Sequence, residues 1–218
     1  MSSAASFAAG QGRVVIDALV ATIDENAAML SEIDGAIGDG DHGINMRKGF
    51  LIVRDELARD ADLSAGLTLV GETLMTRIGG AMGPLYGSFF IEMGGACAGL
   101  ERIDAATVGR MLGAGRAVVE DLGEAHVGDK TLLDTLVPAS EAYRRSLDAS
   151  APFAEALAAM AEAAERGKES TRDLVARVGR ASRLGERSRG VLDAGATSCW
   201  LLLTALATSM SALLTQEG

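Results

Sequence analysis

An all-α fold is predicted by three observations. Apolar residues recur at helical spacing along the chain, no region shows the period-two alternation of a sheet, and β-branched runs are short. The composition agrees: aromatics make up only 4%, while Ala, Gly and Leu are plentiful, and small side chains let helix axes approach closely. With 48% of its 218 residues hydrophobic, the chain can build a sizeable core and is not expected to be disordered. About eight or nine helices are expected, and no strand.

The elements follow in order. Val14, Val15, Ala18, Leu19 and Ile23 share one apolar face of a first helix, and a turn-like stretch follows over residues 34–43. Second and third helices are expected over 44–57 and 63–78, after which Gly79, Gly80, Gly83 and Pro84 break the chain. Helix resumes over 85–100 and over 104–122, with Asp104 as N-cap. Residues 123–129 read as loop, and 131–147 as a helix that Pro138 should kink. An Ala/Glu-rich helix over 151–166, another over 170–178 and a loop over 185–195 precede the apolar final helix, 196–214. That last stretch is long enough to cross a membrane. Thr197, Ser198, Thr204, Thr208, Ser209 and Ser211 lie within it and no positive flank follows, which favours a buried core helix. No Pro/Ser-rich linker or fixed repeat divides the chain, so residues 1–218 read as a single domain.

Charge and cysteines narrow the function classes. A net charge of −10 argues against nucleic acid, whose phosphates call for clustered Lys and Arg. The one basic cluster is Arg180, Arg183, Arg187 and Arg189. Cys97 and Cys199 each sit in an apolar stretch, which suits reduced cytosolic thiols rather than a disulfide framework. Residues 1–11 lack the charged and apolar regions of a signal peptide. A cytoplasmic protein without nucleic-acid or membrane partners is therefore expected.

The polar information is concentrated in four loops. The first holds Asp34, Asp39 and Asp41 among glycines, followed by His42, Gly43, Ile44 and Asn45. Three carboxylates so close together repel one another unless a hard cation joins them, and carboxylate oxygens are the ligands such a cation prefers. An exposed acidic turn is the alternative reading. Gly38, Gly40 and Gly43 satisfy the dinucleotide fingerprint, but no strand precedes them and the aspartates would face a bare pyrophosphate. A calcium loop fails too, because its twelfth position is Phe50 rather than Glu. Magnesium bridging to phosphate fits better, since it needs few protein carboxylates.

The second loop, from Gly79 to Ser88, is glycine-dense before a helix, as an anion cradle or a tight helix contact would require. The third, from Gly123 to Thr131, nearly spells a Walker loop, but Asp129 intrudes before Lys130 and a helix precedes it; Asp129 is expected to cap the helix that follows. The fourth carries Arg180 with Arg187, then Asp193 to Ser198; guanidinium forks suit phosphates.

Taken together, these loops resemble the L subunit of dihydroxyacetone kinase. The matching stretches are Gly-Asp-Gly-Asp-His-Gly-Ile-Asn ending at Asn45, Gly80 to Gly87, Gly128 to Asp134 with Val137-Pro138, Gly179 to Ser182 with Leu184 to Ser188, and Asp193 to Ser198. They follow the family's order over about Ile33 to Ser198. The resemblance implies an antiparallel barrel of about eight helices, with the nucleotide site in loops at one end. It implies two Mg²⁺ ions on Asp34, Asp39 and Asp41, and ADP or ATP surrounded by His42, Gly43, Ile44, Asn45, Ala81, Met82, Gly123, Leu132, Arg180, Asp193, Ala194 and Gly195. A separate K subunit would hold the ketose, and a phosphocarrier protein would recharge ADP in one branch of the family. Met82 stands where the family often has Ser, and Ala194 where Pro is frequent. Those departures leave the metal ligands intact and bear on the phosphoryl donor and the ketose instead. The competing function is a non-catalytic, nucleotide-sensing interaction subunit; a lipid-handling helical protein is a weaker rival.

Overall fold

The computed structural model describes residues 6–80 and 82–216. Among them are eight α-helices: α1 (Gly12–Ile37), α2 (His42–Glu56), α3 (Leu63–Arg77), α4 (Met82–Ala96), α5 (Ala105–Gly123), α6 (Leu133–Asp148), α7 (Phe153–Ser170) and α8 (Ala194–Gln216). Each packs against the next, and α8 packs back on α1, so the helices close into a ring. The expected helical barrel is what the chain forms.

Buried Leu19, Ile23, Phe50, Leu67, Phe90 and Leu206 belong to one continuous core. Phe90 meets Phe50 and Phe89 edge-on, with centroids 6.3 and 5.1 Å away. The apolar α8 is a core helix: 67% of its most apolar window is buried, against α1, α6 and α7. Cys97 and Cys199 are both buried free thiols.

Several boundaries differ from the sequence expectation. The first helix does not stop before Asp34 but runs on to Ile37, whose side chain is buried. Pro84 lies in the first turn of α4, where a missing N–H breaks no helical bond. Two strands do occur, β1 (Ser6–Ala8) and β2 (Arg102–Asp104), pairing antiparallel with buried Phe7 opposite buried Ile103. Three residues each are too few to show a period. The helix expected over 170–178 is absent beyond a single 3-10 turn, Thr171–Asp173. Its amides go elsewhere: the Ala176 N–H donates to the Ser188 hydroxyl and that of Arg177 to the Asp129 carbonyl. A 3-10 segment follows at Ala181–Ser188. Asp104 caps α5 as expected, accepting the Thr107 N–H at 2.8 Å.

Pro138 stands inside α6, which continues on both sides of it. Having no N–H, it leaves the Asp134 carbonyl without its helical donor. Gly167 of α7 lies against that carbonyl so closely that a Cβ there would come within 2.3 Å of the oxygen.

Gly167→Ala should therefore destabilise the fold by about 1–3 kcal/mol, the range for an overpacked contact. Gly113→Ala, on an exposed and open position of α5, should stabilise it by about 0.5–1 kcal/mol through helix propensity. Urea denaturation checks both; equal midpoints for the two variants would contradict the close α6–α7 contact.

Candidate functional site

Alternating helix direction brings four helix starts to one end of the ring. A cavity of about 500 Å³ opens there. Its wall includes His42 and Asn45 from the first turn of α2, Met82 and Tyr86 from α4, Leu133 from α6, and Ala194 and Gly195 from α8. The odd-numbered helices end at the same place, with Ile37 of α1 and Gly123 of α5 on the wall and Gly79 just past α3. Helix N-termini carry unpaired N–H groups and partial positive charge, so this end attracts anions.

The three aspartates meet on one side of the cavity. Asp34 is in the last turn of α1, Asp39 is in the connecting loop, and Asp41 immediately precedes α2. One oxygen from each lies within 4.8 Å of the others. Asp34 is half-buried and the other two are exposed. Gly38 makes the packing possible, since a Cβ on it would come within 2.4 Å of the Asp34 carboxylate. Asp34 Oδ2 accepts the His42 N–H at 3.3 Å. Arg180 reaches across the cavity and forms an ion pair with Asp39. An all-oxygen set of three carboxylates, with exposed sides left for water or phosphate, fits a magnesium ion.

Behind the aspartates a buried knot ties three helices together. His42 Nε2 lies 2.9 Å from the Ser198 hydroxyl of α8. The Tyr86 hydroxyl of α4 is 2.7 Å from Ser198 Oγ and donates to the Gly195 carbonyl at 3.0 Å. Burial lowers the His42 pKa to about 4, against the pull of Asp34, so the imidazole is neutral at pH 7. Burial likewise pushes the Tyr86 phenol well above its ordinary value. The tyrosine is therefore a fixed hydroxyl.

A second polar cluster supports the starts of α6 and α8. Asp134 accepts the N–H groups of Gly128 and Thr131 at 2.6 and 2.7 Å, folding the loop onto the helix start. Buried Lys130, held at φ 64°, sends its ammonium to the carbonyls of Thr171 and Val191. Asp193 Oδ1 accepts the Ala196 N–H at 2.7 Å, capping α8. Asp129 is not the cap of α6 that the sequence suggested. With Lys130 in a left-handed turn, it lies away from the helix start, where it accepts the His126 N–H and pairs with Arg177.

Of the residues singled out from sequence, Asp34, Asp39, Asp41, His42, Asn45 and Met82 line the cavity. So do Gly123, Leu132, Arg180, Asp193, Ala194 and Gly195. Gly43 and Ile44 do not: Gly43 is pressed against the α1 backbone, and Ile44 is 64% exposed on the outer side. Ala81 lies outside the described residues. Of the arginine cluster only Arg180 lines the cavity; Arg183, Arg187 and Arg189 are exposed away from it. His126 is an exposed loop residue. Sequence reasoning assigned no role to Tyr86, Ser198, Lys130 or Asp134, although each stands within a motif it quoted. Their signal was a polar group in an apolar helical stretch, or a lysine beside a turn.

Comparison with known proteins places these motifs. The family model described as the DAK2 domain matches residues 36–208. The ADP-binding subunit DhaL of the PEP-dependent dihydroxyacetone kinase of Escherichia coli (strain K12) is 41% identical over 180 residues, 82% of this chain and 86% of that protein. The ADP-binding subunit DhaL of PEP-dependent dihydroxyacetone kinase 2 from Listeria innocua is 37% identical over 196 residues, 88% of this chain and 90% of that one. Among solved structures, the dihydroxyacetone kinase of C. freundii superposes with a TM-score of 0.69 at 25% identity, covering 96% of this chain and 36% of that one.

Asp193 gives the site a measurable pH signature. Burial outweighs the Ala196 N–H and Lys130 and raises its pKa from 3.8 to about 6. Between those values the folded chain holds a proton that the unfolded chain releases, so stability falls as pH rises through this window. Asp193→Asn keeps an oxygen for Ala196 and should flatten that part of the stability profile in metal-free buffer. Urea midpoints taken across the window check it; parallel profiles for the two proteins would be the contrary result.

Proposed function

The chain belongs to the DAK2 domain family, and on that premise we propose that it is the nucleotide- and magnesium-binding subunit of a dihydroxyacetone-type kinase. In this reading it supplies a phosphoryl group to a short ketose held on a separate K subunit. The observation that carries the proposal is the meeting of three carboxylates, four helix N-termini and Arg180 around one cavity. The names of the relatives, which are ADP-binding subunits, support the nucleotide. Dihydroxyacetone is the ketose their names favour. A cytoplasmic location and a single domain spanning residues 1–218 belong to the same proposal.

The roles follow from position. Asp34, Asp39 and Asp41 would hold magnesium, which when bound neutralises charge on phosphate oxygens. The starts of α2, α4, α6 and α8 offer N–H groups to the phosphates, and Arg180 stands where its fork can reach both a phosphate and Asp39. Neutral His42, fixed by Ser198, offers a ring nitrogen without adding charge. Ile37, Leu85, Val119 and Val178 give the cavity an apolar side suited to the adenine ring. Phosphoryl transfer is largely positioning and electrostatics, so the chain needs no nucleophile of its own. The reading of two magnesium ions and of recharging by a phosphocarrier protein goes with the family.

Two measurements test this. Asp39→Ala should lower turnover with the K subunit more than about 100-fold, while stability changes by no more than about 0.5 kcal/mol because Asp39 is exposed. Full activity in that variant would refute the metal assignment. Denaturing the purified protein and identifying the released nucleotide separates the donors: retained ADP marks the phosphocarrier route, and an empty site marks exchange with ATP. Docking on the K subunit without turnover would instead favour a sensor role.

A further inference from the structure

Thr171 lies off the cavity wall and outside every loop that carries the family resemblance. It is fully buried at the end of α7, and three parts of the site converge on it. Its hydroxyl donates to the Lys168 carbonyl at 2.7 Å and accepts the Asp193 N–H at 3.0 Å. Its own carbonyl accepts the Lys130 ammonium, which also reaches the Val191 carbonyl. The end of α7, the loop before α6 and the entrance of α8 are joined at this residue.

The neighbouring Ser170 shows the ordinary case. A hydroxyl near a helix end commonly bonds back to a carbonyl three or four residues earlier. Ser170 does so, donating to the Gly167 carbonyl at 2.7 Å; it is exposed, and its hydroxyl makes no other bond among the described residues. Thr171 makes the same back-bond, but its oxygen also takes an amide from 22 residues further along the chain. A hydroxyl has one proton, and the Lys168 carbonyl, which can only accept, uses it. The lone pairs are left for Asp193, and two bonds aligned in this way strengthen each other.

What the hydroxyl holds is part of the cavity wall. Asp193, Ala194 and Gly195 line the cavity, and the Asp193 carboxylate caps α8 through the Ala196 N–H. The end of α7 grips α8 again in its second turn, where the Lys168 ammonium lies 3.8 Å over the Trp200 ring.

We propose that Thr171 is a positioning residue for nucleotide binding, whose hydroxyl presets the entrance of α8 without touching the ligand. The inference rests on the nucleotide reading above and adds a determinant of affinity outside the cavity. A wall that must be ordered when the ligand arrives takes that cost out of the binding free energy. Without the hydroxyl the Asp193 N–H loses its partner, and the three wall residues that begin there lose a tether to α7.

The test compares the full chain with Thr171→Val, Thr171→Ser and Ser170→Ala. The first keeps the shape and removes the hydroxyl, the second keeps the hydroxyl and removes the methyl, and the third removes only the neighbouring back-bond. Calorimetric titration with ADP and magnesium should give a Kd about tenfold higher for Thr171→Val and wild-type values for the other two. Amide hydrogen exchange without ligand should be faster over residues 193–197 in Thr171→Val alone. Fluorescence of Trp200, the chain's single tryptophan, followed in urea, establishes that each variant is folded. An unchanged Kd in Thr171→Val overturns the proposal. An equal loss in Thr171→Ser assigns the effect to methyl packing and overturns it too. Should Thr171→Val fail to fold, Thr171→Cys puts a weak donor and acceptor in the hydroxyl's place and should raise the Kd by a smaller factor; a wild-type Kd there is the contrary result. Wild-type chain that binds no ADP overturns the nucleotide reading alone. Exchange over residues 193–197 then still decides whether the Thr171 hydroxyl sets the entrance of α8.

Discussion

Four helices begin at the cavity and four end near it, so the wall that faces a bound anion is built of backbone N–H groups with no partner inside their own helices. Everything else at this end answers to that geometry. Helix starts repel cations and favour phosphate, whereas the three aspartates do the reverse. Three of the helix starts are kept apart from the three aspartates. The carboxylates sit at the α1–α2 corner, and the helix starts of α4, α6 and α8 lie on other walls. A magnesium nucleotide, cationic at one point and anionic around it, matches that division better than a bare cation or a bare phosphate would.

Holding the helix starts in register falls to buried polar groups rather than to apolar packing. The His42–Ser198–Tyr86 knot joins α2, α8 and α4, and it ends on the Gly195 carbonyl at the entrance of α8. Lys130 joins the loop before α6 to the segments that follow α7 and precede α8. Dispersion contacts tolerate small slips, while hydrogen bonds among buried groups lose much of their worth when displaced. A cavity whose ligand is read by backbone amides needs that kind of rigidity. The raised Asp193 pKa records what such burial costs: a carboxyl is held in a poorly hydrated place because its oxygen fixes the first turn of α8.

Much of this was legible in the sequence, and the failures share a cause. Leu19, Ile23 and the other periodic apolar residues marked the helices because burial repeats with the helical turn. The aspartate cluster was legible because repulsion among near neighbours calls for a cation. What the sequence hid was set by distant partners. The segment after α7 has helical spacing at Leu174, Val175 and Val178, yet its amides bond to Ser188 and Asp129. Asp129 has the residue type and place of a cap, yet with Lys130 in a left-handed turn it lies away from the helix start. Ile37 extends α1 past the expected turn because its side chain finds the core. Gly43 and Ile44 were grouped with His42 by sequence adjacency, but successive residues of a helix face different directions, and only one face of α2 meets the cavity.

The two departures from the family pattern also make sense on this backbone. The resemblance leads one to expect Ser where Met82 stands, but Met82 opens α4, and the N–H groups of that first turn do not depend on its side chain. The resemblance leads one to expect Pro where Ala194 stands, the first residue of α8, a position that proline pre-organises because its fixed φ suits a helix start and its missing N–H breaks no bond. Alanine gives up that pre-organisation. The Asp193 bond to the Ala196 N–H, the Thr171 hydroxyl that accepts the Asp193 N–H, and the Tyr86 bond to the Gly195 carbonyl hold the residues on either side of Ala194. Restraint that proline would build into the chain is here distributed over side chains from α4, from the turn after α7 and from Asp193 itself. The entrance of α8 can therefore keep its geometry while its sequence varies, so long as those three hydrogen bonds remain.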